Sequence, residues 1–114
     1  MAIPELQQRQ IRRDLQAYCD DIPVHARHQV RLGFSMSSSS IELFEERPPW
    51  DAPQKPWIKH PVAKFRFVAT GAVWKLYCIR RDQKWHRYEL LPSASRFDTL
   101  LAEVEEDPIC IFWG

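Results

Sequence analysis

The sequence predicts an α+β fold: a single antiparallel sheet of about five to six strands with an N-terminal and a C-terminal helix. Three observations carry this expectation. Apolar residues recur at helical spacing near the two ends of the chain, and they alternate with polar residues through most of the middle. The order helix, several strands, helix also contains no βαβ alternation. A length of 114 residues suits one domain over 1–114. The content of 45% hydrophobic and 27% charged residues excludes wholesale disorder.

The first helix begins at Pro4, whose missing N–H is harmless in a first turn. Ile11, Leu15, Tyr18 and Cys19 form one buried stripe, while Arg9, Arg12, Arg13 and Gln16 take the solvated faces. Asp20-Asp21-Ile22-Pro23 ends it, because the residue before a proline avoids helical backbone. Val30, Leu32, Phe34 and Met36 then alternate with polar residues and glycine, as on a half-buried strand. Ser37 to Ser40 reads as a hairpin loop leading into Ile41, Leu43 and Glu45. Further strands are expected near 62–69, 73–81 and 85–91. A second helix is expected at roughly 95–106, with Phe97, Leu100, Leu101 and Val104 inward, Ser95 or Asp98 as its cap, and Pro108 as its stop. Ile109 to Trp113 reads as a last short strand. At a sheet edge it would offer its backbone to a second copy of the chain, a route to a homodimer.

The segment from Pro48 to Pro61 resists this scheme. It holds five prolines (Pro48, Pro49, Pro53, Pro56 and Pro61) together with Trp50 and Trp57. So many missing donors argue against a central strand or helix, and a long loop in a small domain is often functional. Either Trp50 and Trp57 fold back over an open end of the core, or they form a partner-binding surface for another protein.

A two-residue turn at Thr70-Gly71 pairs Phe67 with Trp74 and Phe65 with Leu76. That register sends Phe65, Phe67, Trp74, Leu76 and Cys78 to the core, where Ile11, Leu15, Leu100 and Leu101 should join them. The next turn, at Asp82-Gln83, lacks a glycine, and its register stays open. A three-residue loop is preferred, because it keeps Arg87 and Glu89 out of the core. It directs His86, Tyr88 and Leu90 inward and Trp85, Arg87 and Glu89 outward.

The net charge of +1 hides a strong asymmetry. Residues 54–91 carry nine Lys and Arg against Asp82 and Glu89, while the segments before and after are acidic on balance. The outer sheet face therefore combines cations with aromatic rings. Lys64, Arg66, Lys75, Arg81 and Arg87 are candidates for phosphate contacts, and Tyr77 and Trp85 for stacking on the bases of single-stranded nucleic acid. The competing interpretations are a solvated face whose Lys and Arg stems cover apolar surface, and a surface for a protein or acidic ligand.

Catalytic signatures are sparse. There is no phosphate-binding glycine loop, no H-E-x-x-H and no G-x-S-x-G. Cys19, His25 and His28 match no zinc spacing, and neither metal nor cofactor is expected. Glu42 and Glu46 share one strand face, where solvated charges are commoner than a paired-carboxylate site. Lys84 to Tyr88 could form the acid–base cluster of a metal-independent nuclease, with His86 moving protons and Arg87 holding phosphate. A lone histidine beside aromatics is more often a packing residue, so a binding module ranks ahead of an enzyme. Three odd, widely spaced cysteines argue against disulfides and point to buried thiols. The absence of an apolar run near 18 residues argues against a membrane span. No signal peptide is visible at the N-terminus, so a cytoplasmic location is expected.

Four strings carry a family resemblance: Glu45-Glu46-Arg47-Pro48-Pro49-Trp50, the run Pro61 to Phe67, Trp85-His86-Arg87-Tyr88, and the ending Ile111-Phe112-Trp113-Gly114. With them the chain resembles, over nearly its whole length, a family of small bacterial proteins known as domain of unknown function 3024. The resemblance implies a bacterial, single-domain protein. It brings no activity, cofactor or catalytic residue.

Overall fold

The computed structural model describes residues 3–22, 24–26, 29–52 and 54–113. Helix α1 spans Glu5–Asp20 and is followed by a single 3-10 turn at Val24–Ala26. Strands β1 (Arg31–Met36), β2 (Ser40–Arg47), β3 (Ile58–Val68), β4 (Val73–Ile79), β5 (Trp85–Arg87) and β6 (Ser93–Ala94) come next, and α2 (Phe97–Glu106) ends the series. The strands form one antiparallel sheet in the order β1-β2-β3-β4-β5, with β6 also on β4. The predicted α+β architecture is therefore observed. Pro23 and Pro53 lie outside the described residues.

Both expected hairpin registers are present. Phe67 stands opposite Trp74 and Phe65 opposite Leu76. The following turn is the three-residue loop, with Cys78 opposite His86 and Tyr77 opposite Arg87. Gln83 supplies the left-handed residue of this turn at φ 64°, a conformation a glycine would adopt at less cost. Asp82 compensates by accepting a hydrogen bond from the Lys84 N–H at 3.0 Å.

The core lies between the inward sheet face and the two helices. Phe65, Phe67, Trp74 and Phe97 make a run of tilted and edge-on rings with centroids 4.7–5.2 Å apart. Ile11, Leu15, Leu76 and Leu100 complete it, and Leu101 packs at its margin, only partly buried. The buried Trp74 indole N–H has no hydrogen-bond partner among the described residues. Leaving that donor unsatisfied costs about 1–3 kcal/mol. Burial of the ring contributes roughly 4–6 kcal/mol, so packing prevails.

Several expectations are corrected. β3 starts at Ile58, inside the proline-rich segment, and Pro61 is part of it. Proline is tolerated because β3 pairs with β4 only over Ala63–Val68, so residues 58–62 extend past β4. The pairing with β2 shifts there as well: Leu43 faces Ala63 but Phe44 faces Pro61, which leaves Val62 as a bulge. At the other edge β4 ends at Ile79 and β5 at Arg87. Tyr88 still donates its N–H to Leu76 and is buried, but the chain then turns outward and leaves Leu90 57% exposed rather than in the core. It returns as β6 along the same side of β4.

Helix α2 begins two residues later than expected. Arg96 occupies the cap position with no side-chain cap bond, so neither Ser95 nor Asp98 caps it. Asp98 instead accepts two hydrogen bonds from the Arg96 guanidinium, which holds its carboxyl below the ordinary range.

The last segment is not a strand. Asp107 adopts left-handed backbone at φ 45°, and its carboxylate accepts the N–H groups of Ile111, Phe112 and Trp113 at 2.8–3.1 Å. The chain curls around one side chain and presents no strand edge, which removes the proposed route to a homodimer. The same curl leaves Cys110 exposed, whereas Cys19 and Cys78 are buried as expected. Phe112 is drawn onto Tyr88, with ring centroids 4.9 Å apart. The Tyr88 hydroxyl donates to Glu103 at 2.6 Å.

Asp107→Asn keeps the shape of this curl but weakens three charge-assisted bonds. We expect a loss of about 1–3 kcal/mol in chemical denaturation. Burial, with Glu105 nearby, pushes Tyr18 up to about 12, above the ordinary tyrosine value of 10.0. Between those values the unfolded chain has released this proton and the folded chain retains it, so stability falls as pH rises from about 10 to 12. Tyr18→Phe should make the stability profile shallower across that window. A profile identical to the parent would refute the assignment.

Candidate nucleic-acid interface

The sheet face turned away from the helices is built by the alternate residues of β2 to β5. In one cross-strand row Glu42 faces Lys64, Lys64 faces Tyr77 and Tyr77 faces Arg87. In the next row Arg66 faces Lys75, which faces Ser93. Trp85, opposite Ile79, stands diagonally to Tyr77, within reach of a large aromatic side chain. Six of the seven sequence-selected residues thus share one face: Lys64, Arg66, Lys75, Tyr77, Trp85 and Arg87. Arg81 does not join the rows, because it is an exposed residue of the three-residue loop beyond β4. Among the described residues, the ion pairs present involve none of the five selected cations.

The face continues toward β1 with two ring–cation pairs that sequence reasoning missed. Lys59 Nζ lies 4.4 Å from the Phe44 ring centroid, and the Arg31 guanidinium carbon lies 3.8 Å from that of Trp57. Phe44 covers Gly33, where an added Cβ would meet Phe44 Cε2 at 2.7 Å. A glycine beside an alternating aromatic strand was the one available sequence signal for this contact. The two tryptophans of the proline-rich segment part company. Trp57 is half-buried against Arg31, whereas Trp50 is 94% exposed and covers no part of the core.

Two acidic side chains interrupt the face. Glu42 lies opposite Lys64, and Glu46 lies between Arg31 and Lys59. Each carboxylate has a cationic neighbour across the sheet, and the row containing Arg66 and Lys75 has no acidic member.

The acid–base cluster read at 84–88 is divided by the strand. His86 faces inward with Cys78 while Arg87 faces outward with Tyr77, so the two cannot address one phosphate from the same side. His86 Nε2 instead meets Asp82 Oδ2 at 2.8 Å, and this bond, with that from Lys84, holds the Asp82 carboxyl below its ordinary range. His28 lies outside the described residues. Among the described residues no three His, Cys, Asp or Glu side chains come together as a metal site. No helix among the described residues is long and apolar enough to cross a membrane.

Gly33→Ala should displace the Phe44 ring from β1 and loosen its contact with Lys59. We expect nuclear magnetic resonance shifts confined to β1, β2 and the first half of β3. An unmoved Phe44 ring would show that the close approach is not limiting.

No curated protein and no solved structure matches this chain at a significant level. A family model does match, over residues 3–114. The chain belongs to the family described as Domain of unknown function (DUF3024).

Proposed function

We propose that this protein is a non-enzymatic binding module that holds single-stranded nucleic acid on its outer sheet face. The observation that carries the reading is the cross-strand row Lys64–Tyr77–Arg87, with Arg66 and Lys75 in the row beside it. A base stacked on Tyr77 would have a cation on each side for its flanking phosphates, and Trp85 offers a second stacking surface. The face is open, which suits an extended strand better than a small ligand needing enclosure.

Binding to a labelled single-stranded oligonucleotide should weaken as salt rises, with each neutralised phosphate adding about 0.7 to the logarithmic slope. Arg66→Ala and Lys75→Ala should each flatten that slope and weaken binding about equally on all sequences. Tyr77→Ala and Trp85→Ala should cost roughly 1–3 kcal/mol each with a smaller change of slope. Glu42→Gln should strengthen binding, because it removes the carboxylate facing Lys64. Absence of binding at low salt by a folded protein would reject the proposal.

One observation favours a second reading. Trp50, beside Pro48 and Pro49, is almost wholly exposed, and an exposed tryptophan on a proline-stiffened loop suits an anchor for a protein partner. That reading expects Trp50→Ala to abolish association and salt to matter little.

A further inference from the structure

On the core side of the sheet, β2 and β3 run past the end of β4, and two clefts of about 330 and 260 Å³ open beneath them. The clefts share Glu45, Arg47 and Trp113. His60 lines one, and Tyr18 and Leu32 line the other. Glu45 and Arg47 from one of the strings singled out in the sequence thus meet Phe112 and Trp113 from another across this site, although some sixty residues separate them.

The groups here are held in place. Arg47 Nε donates to Glu45 Oε1 at 2.7 Å. That bond orients the guanidinium and, among the described residues, leaves both its Nη groups without a partner. The Trp113 indole N–H donates to the Val104 carbonyl at 2.9 Å, and its backbone is fastened to Asp107, so the ring is fixed beside Arg47. Tyr18 retains its proton to about 12, so this lining residue adds no competing anion. An anionic ligand finds both Nη groups of Arg47 unengaged among the described residues, in the paired geometry that suits a carboxylate or phosphate.

We infer that this double cleft binds a small planar aromatic molecule carrying one acidic group, its ring on Trp113 and Leu32 and its acid on the Nη edge of Arg47. The site lies on the opposite side of the sheet from the proposed nucleic-acid face and does not depend on it.

The test is titration of the ¹⁵N-labelled protein, following the indole N–H signals, with two acids and their uncharged counterparts. The probes are indole-3-acetate against indole-3-acetamide, and adenosine 5′-monophosphate against adenosine. At least one acid should shift Trp113 at low millimolar concentration, and its counterpart should bind roughly tenfold more weakly or worse. The acid that binds more tightly tells carboxylate from phosphate. Arg47→Gln should weaken the acid by a similar factor, and Arg47→Lys, which keeps the charge but loses the fork, should also weaken it. A shift at Trp85 with Trp113 unmoved would place the ligand on the outer face and overturn the inference. So would equal binding of acid and counterpart, no shift with either acid, or undiminished binding by both folded Arg47 variants.

Discussion

The register between β3 and β4 is the constraint on which the rest of this molecule depends. With Phe65 opposite Leu76 and Phe67 opposite Trp74, period-two alternation sends four large apolar side chains inward and Lys64, Arg66, Lys75 and Tyr77 outward. A slip of one residue on either strand would bury cations and expose rings, at a cost far above what a fold of this size can absorb. The turn at Thr70-Gly71 and the aromatic packing of Phe65, Trp74 and Phe97 therefore enforce each other. The basic aromatic face is a by-product of the same requirement that builds the core.

The bulge at Val62 sets the second half of the architecture. It changes which alternate residues of β3 face inward, so that His60 joins Glu45 on the core side while Lys59 and Pro61 stand outside with Glu46 and Phe44. Because β4 stops short of this region, neither face of the β2–β3 extension resembles the central sheet. Its outer side carries the ring–cation pairs Phe44–Lys59 and Trp57–Arg31. Its inner side, at the C-terminal end of α1, carries the Arg47 and Trp113 clefts. A single inserted residue thus separates a packed sheet from an arm with two usable surfaces.

The curl at the C-terminal end illustrates how one polar side chain can replace a strand. Ile109 to Trp113 has the apolar content of a β segment, and nothing local forbids extension. Asp107 satisfies three of its N–H groups at once, and Phe112 and Trp113 find buried surface against Tyr88 and Val104. A strand would have needed a free sheet edge at the same place.

The order of elements from α1 to β5, the placing of α2 after the sheet, the helix stripes, both hairpin registers and most of the outer face were legible in the sequence. Each follows from spacing between residues close along the chain, where turn geometry and the cost of burying charge leave one solution. Lys64, Arg66, Lys75, Tyr77, Trp85 and Arg87 follow from that spacing and share one face. What only the tertiary structure decided is long-range. Proline density argued against a strand at Pro61, yet an edge segment beside a bulge asks nothing of the missing N–H. Leu90 is apolar and in phase with Tyr88, but β4 no longer needs it once the chain turns toward β6. The meeting of Arg47 with Trp113 depends on where α1 ends, where β4 stops and how Asp107 folds the terminal segment back. No local pattern records those three outcomes, because each is set by which surfaces remain unpaired after the core has formed.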